Sequence, residues 1–202
     1  MRIRKAGSIR RSVIRAAGFA SVFIGLVIAS SCKYVKAKPD VAFLGDSITQ
    51  GWSYPKANFG KYGNTTAQML ERMPQVIDRS RFVTVVVLGG TNDVLLGIDP
   101  NVTIANLETL GLKIQQSGEA PVLCEIPPIF HNYVQTDKQD YFDRVQQLNK
   151  RIAELSNRHG WKLVDYYHPL LGHPDYSSDG VHMKRRGYLI MELALLHTLP
   201  DA

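Results

Sequence analysis

The sequence predicts an α/β domain in which an open parallel sheet lies between two layers of helices. Short apolar runs at 41–45, 82–88, 121–126 and 162–165 alternate with longer stretches of helical period, the order in which strands and crossover helices follow one another. The first three runs are rich in Val, Ile, Leu or Phe and scarcely alternate, as strands covered on both faces do. The fourth is shorter and is expected at an edge. With 202 residues, 45% of them hydrophobic, the chain has material for one core rather than two.

The helices are expected in four places. The first starts near Asn64 or Thr65, side chains that accept orphan backbone N–H bonds, shows Leu70, Met73 and Ile77 on one face, and is broken at Pro74. The second has Asp99 as its cap and Pro100 at its first position, carries Leu107, Leu110 and Ile114 on one side, and stops near Gly118. In the third, Tyr141, Val145, Leu148, Ile152 and Leu155 recur at intervals of four and three, and Gly160 supplies the stop. The fourth, from about Lys184 to Leu196, is apolar on most sides and is expected to lie largely buried. No repeat or linker marks a second domain.

The first 31 residues read differently from the rest. They hold Arg2, Arg4, Lys5, Arg10, Arg11 and Arg15, no acidic residue, an apolar run at 16–28, and the small residues Ala29, Ser30 and Ser31 before Cys32. That is the composition of an export leader, so residues 1–31 are expected to be a leader and 32–202 a single domain. The apolar stretch is short of the roughly 20 residues needed to span a bilayer. Arg10 and Arg11 suit a twin-arginine signal, with ordinary secretion as the alternative, and export to a periplasm, a cell surface or the medium is the expected location. Cys32 stands where a lipoprotein carries its lipid-modified residue, so membrane contact is expected only through the leader or that anchor. Removing the leader's six basic residues from 24 leaves 18 Lys and Arg against 18 Asp and Glu. Without a concentrated basic face, nucleic-acid binding is not expected. Cys124, inside an apolar run, is expected to be a buried thiol not bridged to Cys32.

In open α/β sheets ligands bind beyond the carboxyl ends of the strands, and those positions are polar here. Gly45-Asp46-Ser47-Ile48-Thr49 follows the first run, Gly89-Gly90-Thr91-Asn92-Asp93 the second, and Ser178-Asp179-Gly180-Val181-His182 comes near the end. They include a hydroxyl, an imidazole, a carboxylate and amide donors, the parts a serine hydrolase needs. Taken singly, Ser47 reads first as a helix cap, Gly63 and Asn92 as turn residues, and the Asp179/His182 pair first as a surface turn. Asp46 and Asp93 are read as acceptors for loop N–H groups. Trp52, Tyr54, Phe59, Phe130 and Tyr133 either line an acyl or sugar pocket or simply pack. His168, His173, Asp175, Asp179 and His182 crowd into one stretch, but their spacing matches no zinc pattern, and no metal site is expected.

GDSIT at 45–49, Gly63-Asn64-Thr65, GTND at 90–93 and DGVH at 179–182 resemble, in order and spacing, the four blocks of the SGNH or GDSL hydrolases. The resemblance runs from about Asp40 to Tyr188. It implies a flavodoxin-like, three-layer α/β/α fold and a serine esterase or acylhydrolase that needs no metal or organic cofactor. It further implies Ser47 as nucleophile, His182 as base and Asp179 as its orienting carboxylate, with an oxyanion hole from Ser47, Gly63 and Asn92. The expected partner is a small-molecule, glycan or lipid ester. With no long inserted lid, short acyl groups such as acetyl are favoured. A thioesterase or lysophospholipase with the same machinery, and a carbohydrate-binding module without catalysis, are the alternatives, and oligomeric state is not specified.

Overall fold

The computed structural model describes residues 40–77, 82–130 and 140–199; the expected leader, Cys32 and Tyr133 lie outside the described residues. In chain order the elements are β1 (Val41–Gly45), α1 (Ser47–Gln50), β2 (Ala57–Gly60), α2 (Thr66–Arg72), β3 (Thr84–Leu88), α3 (Thr91–Leu96), α4 (Pro100–Ser117), β4 (Ala120–Cys124), α5 (Asp140–His159), β5 (Lys162–Val164) and α6 (Arg185–Thr198). Single 3₁₀ turns occupy Met73–Gln75, His168–Leu170 and Pro174–Tyr176. The strands form one sheet in the order β2-β1-β3-β4-β5, every pair parallel. This is the open parallel sheet that the alternating pattern predicts.

The strand order places the site. From β1 the chain steps outward to β2, then returns across β1 to β3 and proceeds to β4 and β5. Right-handed crossovers therefore put α2, α4 and α5 on one face and α1 on the other. The direction reverses between β1 and β3, and the crevice at such a reversal is where ligands bind. Ser47 leaves β1 and Asn92 leaves β3 on either side of it.

Helix boundaries follow local chemistry. Thr65 caps α2 in a full capping box with Gln68, and Pro74 turns its end into a 3₁₀ turn. Asp99 caps α4, accepting from Asn101 N–H, and Gly118 closes it in a left-handed conformation. In α5 the predicted stripe is realised: Val145, Leu148, Ile152 and Leu155 are buried. Asn149, buried beside them, accepts from Ile126 N–H at 2.8 Å and donates to Ile126 O at 2.9 Å. That pair pins the exit of β4 to α5.

Two features differ from expectation. α6 is not largely buried: only Gly187, Met191 and Leu195 are buried, while Leu189 and Leu193 are exposed. A helix on an edge strand covers one face only, whatever its composition. β2 was not foreseen, because ANFG is short, half-buried along its length and carries no alternation to read. No helix among the described residues is long and apolar enough to cross a membrane.

Candidate active site

Ser47 is the first residue of α1, so its N–H is one of those a helix leaves without an internal acceptor. Asp46 caps that helix, its Oδ1 accepting from Ile48 N–H at 2.9 Å. The turn is tight enough that a Cβ on Gly45 would run into the Thr49 side chain and approach Leu88 O to 2.9 Å. Serine is thereby presented at the strand end, with its hydroxyl free to meet the loop after β5.

That loop is folded by one carboxylate. Asp179 Oδ1 accepts from Val181 N–H at 2.9 Å and from His182 N–H at 2.7 Å, and its Oδ2 lies 2.6 Å from His182 Nδ1. A carboxylate only accepts, so Nδ1 carries the proton and Nε2 is the free acceptor. Nε2 stands 2.9 Å from Ser47 Oγ. Ser177 and Ser178 donate their hydroxyls to His182 O, and Phe130 N–H donates to Gly180 O at 2.9 Å, which ties the loop to the exit of β4. Burial works to raise the Asp179 carboxyl, but the bonds from the imidazole and from both backbone N–H groups outweigh it and hold the carboxyl below its ordinary range. The side chains of His182 and Asp179 are 31% and 43% exposed, so the site opens directly to solvent.

Gly63 sits at the third position of the turn closed by Asn64 N–H to Lys61 O at 3.2 Å. Its φ of 70° requires glycine. A Cβ there would meet nothing within 4 Å, so backbone conformation, not crowding, selects this glycine. Asn92, in the first turn of α3, donates one amide hydrogen to Asn64 O at 2.9 Å. Its second amide hydrogen remains for another acceptor. The structure thus joins Ser47, His182 and Asp179 in one hydrogen-bonded chain and ties Asn92 to the Gly63-Asn64 segment.

Two buried acids and an arginine frame these groups. Asp93 accepts from Thr66 N–H at 3.0 Å and from the hydroxyls of Thr66 and Thr103, fastening α2 to α3. Asp46 is wholly buried, and burial pushes its carboxyl up to about 6, against the pull of the Ile48 N–H and of His182. The Thr91 hydroxyl lies beside this carboxylate, yet neither Asp46 Oδ2 nor Thr91 Oγ1 completes a hydrogen bond among the described residues. Both acids are structural acceptors, as expected, but the N–H groups they hold belong to helix starts rather than to loops. Arg72, not foreseen, donates to Gly45 O and Asn64 Oδ1 at 2.6 Å and to Phe59 O at 2.7 Å. It binds the ends of β1 and β2 to the Gly63 turn; its only sequence signal is a cation in the last turn of α2.

The aromatic residues divide otherwise than a pocket requires. Trp52 and Tyr54 are buried and stacked at 5.6 Å, with Tyr188 on Trp52 at 6.1 Å; Phe59 packs on Phe82, and Phe130 is buried. Trp52, Tyr54 and Phe130 are buried, and Phe59 packs half-buried against the core. The ring beside the site is Tyr62, 74% exposed and parallel to the His182 imidazole at 6.3 Å. Cys124 is a buried thiol, raised by burial, as predicted. At the exits of β4 and β5, Glu125, Asp165 and His168 gather, and burial followed by the Asp165 charge pushes the Glu125 carboxyl up to about 7 against the pull of His168.

A family model described as the GDSL-like lipase/acylhydrolase family matches residues 43–190. An arylesterase from Vibrio mimicus is 25% identical, the alignment covering 66% of this chain and 82% of the relative. The crystal structure of a GDSL-like lipase from Bacteroides thetaiotaomicron is similar at a TM-score of 0.70 and 27% identity, covering 80% of this chain and 87% of that one. That of an acetylxylan esterase from Geobacillus stearothermophilus is similar at a TM-score of 0.69, covering 82% of this chain and 96% of that one. At 17% identity this last is a likeness of fold alone.

Proposed function

This chain belongs to the GDSL-like lipase/acylhydrolase family, and we propose that it cleaves carboxylic esters through an acyl-enzyme on Ser47. The observation that carries this reading is the unbroken path from Asp179 Oδ2 through both nitrogens of His182 to Ser47 Oγ, at 2.6 and 2.9 Å. As Oγ attacks the ester carbonyl carbon, Nε2 takes the hydroxyl proton. Asp179, held ionised by its three donors, stabilises the imidazolium. The carbonyl oxygen becomes an oxyanion received by the N–H groups of Ser47 and Gly63 and by the spare amide hydrogen of Asn92. Collapse breaks the bond to the alcohol, which leaves with the proton from Nε2. Water then repeats the sequence on the acyl-enzyme, His182 acting as base and then as acid, and releases the carboxylic acid.

Short acyl groups such as acetyl suit a site open to solvent, where Trp52 and Tyr54 are buried as core and the ring beside His182 is the exposed Tyr62. The similarity to an arylesterase supports an ester substrate. Ser47→Ala is expected to abolish turnover of p-nitrophenyl acetate and labelling by a fluorophosphonate probe. Unchanged turnover in that variant ends the proposal, and a folded wild-type chain that resists the probe favours a binding module instead. An acyl-length series should fall from acetyl upward; a steady rise toward long chains overturns the short-acyl preference. The leader is assigned to export, with Cys32 as lipid acceptor, and mass spectrometry of the membrane fraction tests it.

A further inference from the structure

We propose that Glu125, Asp165 and His168 form a binding site for a divalent cation of zinc type, separate from the Ser47 machinery. Glu125 leaves β4 and Asp165 leaves β5, while His168 opens the following 3₁₀ turn, so the three meet at the carboxyl edge of the sheet. One ligand atom from each lies within 4.8 Å of the other two. His168 Nδ1 stands 2.9 Å from Asp165 Oδ2 and 3.9 Å from Glu125 Oε2. In a tetrahedral zinc site with bonds of about 2.1 Å, ligand atoms stand roughly 3.4 Å apart. The two His168 distances bracket that value, each within about half an ångström of it.

The decisive group is Glu125. The residue is 8% exposed, and its Oε2 is buried without a hydrogen-bond partner among the described residues while facing the imidazole. A buried carboxylate oxygen with no donor is costly, and nothing in the Ser47 site uses it. Its position is also rigid: Glu125 N–H donates to Val164 O at 2.9 Å, and the next residue is clasped on both sides by Asn149. Asp165 Oδ1 accepts from Tyr167 and His168 N–H at 2.9 Å each, which aims Oδ2 at the cluster. The His168 and Asp165 side chains are 69% and 44% exposed, leaving an open side for water as a fourth ligand. Two carboxylate oxygens and one imidazole nitrogen suit zinc better than calcium, which takes oxygen alone. Nδ1 ligates as the acceptor of the neutral ring, so on binding the ring proton passes by exchange with solvent from Nδ1 to Nε2, and the metal takes its place on Nδ1.

Isothermal titration of the full chain with zinc chloride, with cobalt(II) absorption as a second probe, tests the site. The expected result is one zinc per chain, with affinity lowered by at least about tenfold in both Glu125→Gln and His168→Ala. Both variants should keep fluorophosphonate labelling at Ser47, which shows that they are folded. His168 is exposed, so His168→Ala alone decides the matter if Glu125→Gln does not fold. No saturable zinc binding in the micromolar range by wild type overturns the proposal, as does unchanged affinity in His168→Ala or a preference for calcium.

Discussion

Asp46→Asn should stabilise the protein at neutral pH while leaving it unchanged in acid. Asp46 is fully buried, and its carboxyl is raised from 3.8 to about 6. An acid whose pKa is higher in the folded than in the unfolded chain binds its proton more tightly when folded. Its stabilising contribution is complete below 3.8 and is lost as pH rises through about 6. A shift of about two units corresponds to a loss of about 3 kcal/mol by pH 7. Asparagine keeps the oxygen that accepts from Ile48 N–H and adds an amide facing the unpartnered Thr91 hydroxyl, without the buried charge. Thermal melts from pH 4 to 7.5 should show the two proteins level at the acid end. The variant should melt higher at pH 7, by about 6–12 °C for a chain of this size. The comparison isolates Asp46 from Glu125, whose carboxyl is raised in the same direction. A difference in melting temperature that does not change with pH, or a variant less stable at pH 7, refutes the reasoning. Turnover should fall in the same variant, because the charge that costs stability faces His182.

Other substitutions separate the parts of the site. Asn92→Ala should lower kcat for a short aryl ester by about 10² to 10³ with little change in KM; a loss confined to KM removes Asn92 from the oxyanion hole. Arg72→Met should cost at least about 2 kcal/mol in urea unfolding, since it cancels hydrogen bonds from a charged group to three acceptors. Full recovery in Arg72→Lys shows that charge rather than the guanidinium fork matters there. Gly63→Ala should cost about 1–2 kcal/mol through its positive φ alone, and a much larger loss points to crowding that the open space around Gly63 does not contain.

What the sequence made legible was whatever its local chemistry decides. The caps at Thr65 and Asp99, the stop at Gly118 and the stripe along α5 are written within one or two turns of chain, and each appears as predicted. Strand runs buried on both faces were legible for the same reason. β2, α1 and α3 were not, since four to six residues hold too little of any period to detect. Ser47, Asn92, Asp179 and His182 were picked out as polar residues beyond predicted strand ends, and their roles, with that of Gly63, came from family resemblance. Arg72 was invisible because its three acceptors lie 8, 13 and 27 residues upstream. Trp52 and Tyr54 show the converse: their position near Ser47 left a pocket and simple packing both open, and the return of α6 with Tyr188 made them core.

The two aspartate-histidine pairs show where local information ends. Asp165-Tyr166-Tyr167-His168 and Asp179-Gly180-Val181-His182 fold alike: one carboxylate oxygen accepts from the N–H groups two and three residues on, and the other meets the imidazole Nδ1. Spacing of three residues is therefore sufficient to build an oriented imidazole, and it built two. The third partner separates them. His182 Nε2 meets Ser47, 135 residues away, because β1 and the loop after β5 end at the same edge of the sheet. His168, with 69% of its side chain exposed, turns Nδ1 toward Glu125 from β4. An orienting carboxylate makes a base only where a hydroxyl lies within reach of the opposite nitrogen. Where a second carboxylate faces the same nitrogen, the cluster suits a cation. The zinc titration and the fluorophosphonate probe should therefore divide cleanly. His168→Ala should lose the metal and retain the label, and Ser47→Ala should lose the label and retain the metal.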